Sequence, residues 1–240
     1  GDTASGGLLT VVEVYTPAAP TPPAPSATGI WTLGASMPTA RTAEAVVAGP
    51  DGRVYALGGL TYDPTSQTTQ VYATVEAYDA GADRWTALPP MPTPRYALAA
   101  AAGGDGRIYA IGGIVGTTDV TTVEAFDPST SAWTSVAPLP SPPLSLNAFS
   151  SPGGQVDVLA YFPGGICQLL TYTPSTNQWA MLTPQPPVCE NSSTVVGPDG
   201  RVYAVGGGYA GPGGRASAAV EAYDPRAVSY THLTLPTILR

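Results

Sequence analysis

The sequence has no lysine. Its nine basic residues are all arginine, they face 17 acidic ones, and the formal charge is −8. A chain with that balance offers no cationic footprint for nucleic acid. Histidine occurs once, at His232, so Ser-His-Asp and Cys-His constellations have no imidazole to draw on elsewhere in the chain. Without lysine there is no Gly-Lys phosphate loop either. No apolar run approaches the ~18 residues of a membrane-spanning helix, and no signal peptide is visible. Helix is disfavoured by composition, because 28 Gly and 27 Pro interrupt it repeatedly. A hydrophobic content of 43% still excludes a disordered polymer.

What is present is a repeat. Three strands of nearly the same sequence each end at a glycine pair: Arg53–Leu57 before Gly58-Gly59, Arg107–Ile111 before Gly112-Gly113, and Arg201–Val205 before Gly206-Gly207. Gly164-Gly165, third along the chain, is read as the pair of a degenerate copy. A second strand follows each pair, as Val75-Glu76-Ala77-Tyr78-Asp79, Val123-Glu124-Ala125-Phe126-Asp127 and Val220-Glu221-Ala222-Tyr223-Asp224, with Leu169–Thr173 as a degenerate copy. Trp85, Trp133 and Trp179 each stand seven residues after the aromatic of that strand, and Trp31 completes the set at spacings of 54, 48 and 46. This period fits a unit of four short strands. Strand A is small and apolar (Ala43 to Ala48, Ala97 to Ala102, Ser192 to Val196). An Asp-Gly turn leads into strand B, which ends at the glycines. Strand C carries the Glu and the aromatic, and strand D carries the Trp.

The glycine pair, the aromatic before Asp and the Trp seven residues on resemble the kelch repeat, over residues 1 to about 225. The resemblance implies an all-β, kelch-type β-propeller of about four complete four-stranded blades plus a half blade, an open arc of a larger propeller. The repeats run over about 31–78, 85–126, 133–172 and 179–223, with a half blade at 1–17 and a Pro-rich loop at 17–30. Both ends read as interrupted. The chain enters mid-repeat with no initiator Met, and after Asp224-Pro225 no Trp arrives. Residues 228–240, Val228 to Arg240, resemble the translation of a sequencing adapter and are read as a non-native tail, leaving 1–227 as the partial propeller.

Antiparallel order places the A–B and C–D turns on one face and the B–C and D–A loops on the other. The B–C loops vary in length, so that face is expected to carry recognition. Arg41 and Arg95 follow Met-Pro in two D–A connections. Similar kelch domains have Arg there, some in a ligand pocket; the other reading is an Arg paired with protein groups. The remaining equivalents are Pro143 and Cys189. Tyr62 and Tyr72 in the longest B–C loop are candidates to stack on a sugar or a peptide, or to pack within the loop. Glu13, Glu76, Glu124 and Glu221 recur at one strand C position and are read as structural. Asp51, Asp105 and Asp199 are read as turn residues, and no cluster has the spacing of a calcium loop. Cys167 and Cys189 fall on the same face, as a disulfide, which implies an oxidising compartment, or as two buried thiols. Asn191-Ser192-Ser193 matches a glycosylation acceptor.

The functional expectation is a non-catalytic binding module for a protein or glycan. It needs no cofactor or metal and is extracellular or at the cell surface, and its composition suggests a bacterial source. The alternative is part of a kelch-fold enzyme, resembling galactose oxidase or a sialic-acid mutarotase, with its catalytic residues in blades outside this sequence.

Overall fold

The computed structural model describes residues 12–16, 30–183, 188–209, 220–224 and 229–233. Among them there is no helix. Four antiparallel four-stranded sheets follow one another along the chain, each with its strands hydrogen-bonded in chain order. The first blade is Ala45–Ala48, Val54–Leu57, Val75–Asp79 and Arg84–Leu88. The second is Ala99–Ala102, Ile108–Ile111, Val123–Asp127 and Ala132–Ser135. The third is Ser145–Ser150, Val156–Phe162, Ile166–Thr173 and Gln178–Met181. The fourth is Ser193–Val196, Val202–Val205, Val220–Asp224 and Ser229–Leu233. Val12–Thr16 pairs with Ile30–Gly34 ahead of them. Counted by sheet, the Trp strand belongs with the three strands before it, so each blade is offset by one strand from the Trp-to-aromatic repeat. The Pro-rich loop at 17–30 lies outside the described residues except for Ile30.

Strand A starts later than its apolar run. Ala43, Ala97 and Asn191 have φ of 56°, 51° and 52°, a left-handed turn that ends the D–A connection before strand A begins to pair with strand B.

Blades stack because each sheet is apolar on both faces. Tyr55, Leu57 and Ala77 of the first blade bury against Ile108, Ala110 and Phe126 of the second. Tyr109, Ile111 and Ala125 of the second bury against Val156, Val158 and Tyr172 of the third. Phe149, Leu159 and Leu169 of the third meet Val202 and Tyr223 of the fourth. The aromatic of strand C pairs in register with the residue seven on: Tyr78 with Trp85, Phe126 with Trp133, Tyr172 with Trp179, and Tyr223 with Tyr230. In the first three, ring centroids lie 5.1–5.2 Å apart. Tyr230 thus stands where a Trp stands in the other blades. An open sheet edge accepts any extended segment, native or foreign, so this pairing is a property of the edge.

The indole N–H of these three tryptophans also crosses to the preceding unit. Trp85 donates to Ala35 O at 2.9 Å, Trp133 to Pro89 O at 2.9 Å and Trp179 to Ala137 O at 2.8 Å. Around this bond two further donors share one acceptor. In the first blade the Ala35 N–H and the Tyr78 hydroxyl both donate to Asp83 Oδ1. In the third, the Ala137 N–H and the Tyr172 hydroxyl both donate to Asn177 Oδ1. The second blade has Pro89, Phe126 and Ser131 in these places. Both donors and the acceptor are missing together, so no donor is left without its partner.

The third glycine pair is a correction. Val156 pairs with Tyr172 as Val54 pairs with Tyr78, so Ala160 and Tyr161 occupy the places of Gly58 and Gly59. Gly164 and Gly165 instead form the tip of a longer hairpin, whose ladder continues to Phe162 opposite Ile166. The true pairs face a close backbone approach. A Cβ on Gly59, at φ 101°, would sit 2.8 Å from Thr42 O, and one on Gly113, at φ 93°, would sit 2.7 Å from Tyr96 O. Gly164 has open space around it.

Candidate functional site

The B–C and D–A segments share one face, and on it each blade builds an additional feature. The first blade carries a ribbon of Leu60–Asp63 against Thr68–Val71. The second carries the short ribbon Ile114–Val115 against Thr118–Asp119. The third carries its B–C hairpin through the glycine-pair position to Phe162 opposite Ile166. The fourth pairs Val188–Glu190 with Gly208–Tyr209. The D–A connection of each of the first two blades bridges to its own ribbon, Thr42 to Leu60 and Tyr96 to Ile114. The scaffold is therefore regular and the presented loops are not.

Arg41 and Arg95 lie inside this face and are not available to a ligand, which corrects their reading as ligand-binding residues. Their side chains are fully buried. Arg41 Nη1 pairs with Glu76 Oε2 and Arg95 Nη1 with Glu124 Oε2. The second terminal nitrogen of each donates to a strand B carbonyl, Ala56 O at 3.1 Å and Ala110 O at 3.0 Å. Thr39 and Thr93 hydroxyls satisfy the other carboxylate oxygen, both at 2.8 Å. Burial presses Arg95 below its ordinary pKa and the Glu124 carboxylate opposes that; a guanidinium starts so high that it stays charged. The main chain of Arg95 serves the preceding blade, its carbonyl accepting from the Gly59 N–H at 3.0 Å and its N–H donating to Tyr72 O at 3.3 Å. One residue thus bonds two blades. In the third blade both partners are replaced at once, by buried Pro143 and Leu170.

The two tyrosine candidates are not brought together. On one side of the ribbon, Tyr62 pairs with Thr69 and the residue is 55% exposed. Tyr72 belongs to the other side, half-buried, with its hydroxyl 3.2 Å from Thr61 Oγ1. Tyr72 therefore packs within its own loop, while Tyr62 stays on offer. Exposed apolar groups accompany it: Val115 on the second ribbon, Leu144 in the third blade's D–A connection, and Ile166 at the tip of the long hairpin.

The opposite face is closed by its turns. Asp51 accepts from the Tyr55 hydroxyl at 2.7 Å and from Arg53 Nε at 2.7 Å, and the Arg53 guanidinium lies over the Tyr55 ring. Asp105, Arg107 and Tyr109 repeat the arrangement. Partial burial works to raise Asp51, and the bonds from Tyr55 and Arg53 outweigh it and hold it low. Burial and Asp51 push the Tyr55 hydroxyl far up. These aspartates are turn-building residues tied to a strand B tyrosine. The sequence signal was present, because Asp, Arg and Tyr recur at alternate positions along one strand side.

The third blade has Asp157 at that tyrosine position, and sequence reading missed it. The residue is 1% exposed. Burial pushes its carboxyl above the ordinary range, with Thr171 and Ser151 pulling the other way, and its Oδ1 has no partner. Cys167 and Cys189 form a disulfide with Cα atoms 5.7 Å apart, joining the third blade's hairpin to the lead-in of the fourth. Among the described residues, no group of three or more His, Cys, Asp or Glu could hold a metal ion. No helix among them is long and apolar enough to cross a membrane.

Four sequential A-B-C-D sheets stacked face to face, with the Trp of one reaching the carbonyl of the last, define a β-propeller architecture. Residues 41–92 and 95–140 match the kelch motif. The matched residues are kelch repeats, about two fifths of the chain, and the propeller continues beyond them in the same four-stranded blades. The chain is similar to the Kelch-like protein terF of Aspergillus terreus (strain NIH 2624 / FGSC A1156), at 42% identity over 92 residues. That similarity covers 38% of this chain and 19% of the relative, so the matched part spans about a fifth of that protein.

Proposed function

We propose that the chain is a non-catalytic recognition module that binds a protein partner through the B–C/D–A face, outside the cell or at its surface. One observation carries the reading: a regular scaffold, tied by buried ion pairs and indole bonds, presents loops of unequal build on this face, with Tyr62, Leu144 and Ile166 exposed there. Interaction surfaces favour aromatic and large apolar anchors on rigid elements. The disulfide supports the location, since such bonds persist in oxidising compartments.

A glycan is the second reading, favoured by Tyr62 alone. An exposed ring flanked by the Thr69 hydroxyl on a threonine-rich ribbon suits the apolar face and hydroxyls of a sugar. The enzymatic alternative draws no support from the described residues, whose strand C glutamates in the first two blades are bound to arginines.

The test is a screen of the purified protein against protein and glycan arrays, repeated with Tyr62→Ala, Ile166→Ser and, on the opposite face, Arg107→Ala. Loss of a captured partner with the first two variants and retention with the third is expected. Loss only with Arg107→Ala would place recognition on the wrong face and overturn the reading. Cell fractionation of the source organism checks the location.

A further inference from the structure

The junction of the third and fourth blades differs from the other two in three independent respects. First, the residue at the arginine position of the fourth blade is Cys189, whose side chain reaches back to the third blade through the disulfide. Second, Asp157 is buried facing this junction where Tyr55 and Tyr109 fill the other two. Third, a void of about 10 Å³ persists between Phe149, Leu159, Leu169, Val202 and Tyr223, at the lower limit of room for one water.

We propose that this junction is a redox-controlled joint, held shut by the Cys167–Cys189 disulfide and opened when a dithiol reduces it. The inference stands whatever the recognition face binds. The first and second blades are joined by Arg95, with its side chain in one blade and its main chain in the other. At the last junction that non-covalent tie is replaced by a bond that a reductant removes. One thiolate of the dithiol attacks a cystine sulfur and the S–S bond breaks. The second thiol resolves the mixed disulfide. Two electrons and two protons pass to Cys167 and Cys189, and the reductant leaves as a cyclic disulfide. Cys167 is 8% and Cys189 2% exposed, so attack requires a local opening and reduction is slow. Once reduced, the lead-in at 188–190 loses its covalent tie to the hairpin. The fourth blade then opens locally while the first three stay packed.

Hydrogen exchange read by mass spectrometry, on the native protein with and without dithiothreitol, tests this. Exchange about tenfold or more faster in 166–169, 188–209 and 220–224, with 45–135 unchanged, is expected. Unchanged exchange everywhere, an equal rise in every blade, or two free thiols titrated in the unreduced protein would each overturn the proposal. The double variant Cys167→Ser/Cys189→Ser should show the reduced pattern and ignore dithiothreitol; a retained response would also overturn it. If that variant does not fold, the comparison of native and reduced protein decides alone.

Discussion

Arg95 and Glu124, 29 residues apart in sequence, meet out of solvent with side chains 0% and 2% exposed. Such a pair is costly to break and not always costly to replace, because a lone buried charge is worse than none. Arg95→Met should therefore destabilise by about 3–5 kcal/mol. Arg95→Met with Glu124→Leu, the residue the third blade has as Leu170, should recover most of that loss. Urea unfolding of the two variants checks it, and equal losses would show that the pair itself is needed.

Asp157 gives a pH dependence of unusual sign. Its carboxyl titrates above the ordinary 3.8 in the folded protein because it is buried. The folded state then holds a proton that the unfolded state has released, and stability falls as pH rises from near 4 through the raised value. Asp157→Asn removes this slope and should raise Tm at pH 7 while changing it little at pH 3. Thermal melts across that range test it; a loss of stability at pH 7 would mean the charged carboxylate is favourable where it sits.

The two kinds of glycine separate by substitution. Gly113→Ala forces a Cβ toward Tyr96 O at an unfavourable φ and should cost about 1–3 kcal/mol. Gly164→Asn, in open space at φ 85°, should cost under about 1 kcal/mol. Chemical denaturation of both variants compares them, and equal costs would restore Gly164 to the repeat.

Trp133→Phe keeps the ring against Phe126 and removes only the indole bond to Pro89 O. A loss of about 1 kcal/mol is expected from one hydrogen bond, in addition to the smaller ring area. Protease nicking near residue 89 should rise with it.

The strands, the blade order and the aromatic-to-Trp register were legible because they recur, and recurrence survives without knowledge of contacts. The glycine misplacement shows the limit. Gly164-Gly165 matched by composition, whereas pairing counts back from Tyr172 and lands on Ala160 and Tyr161. The Arg–Glu pairs were half legible. Each partner recurs, but the decisive signal is their joint loss at Pro143 and Leu170, which lie 27 residues apart in the sequence. Asp157 was invisible because nothing marks a lone acid in an irregular repeat. Only the burial of that strand gives it meaning.

The direction of the indole bonds has a consequence for synthesis. Trp85, Trp133 and Trp179 reach backward, 50, 44 and 42 residues, to a carbonyl already made. A nascent chain that folds from its N-terminus thus completes each seam only after the strand D of the following blade has left the ribosome. The growing propeller always carries one unlatched seam, and the chain closes like a zip whose slider trails one blade behind the ribosome.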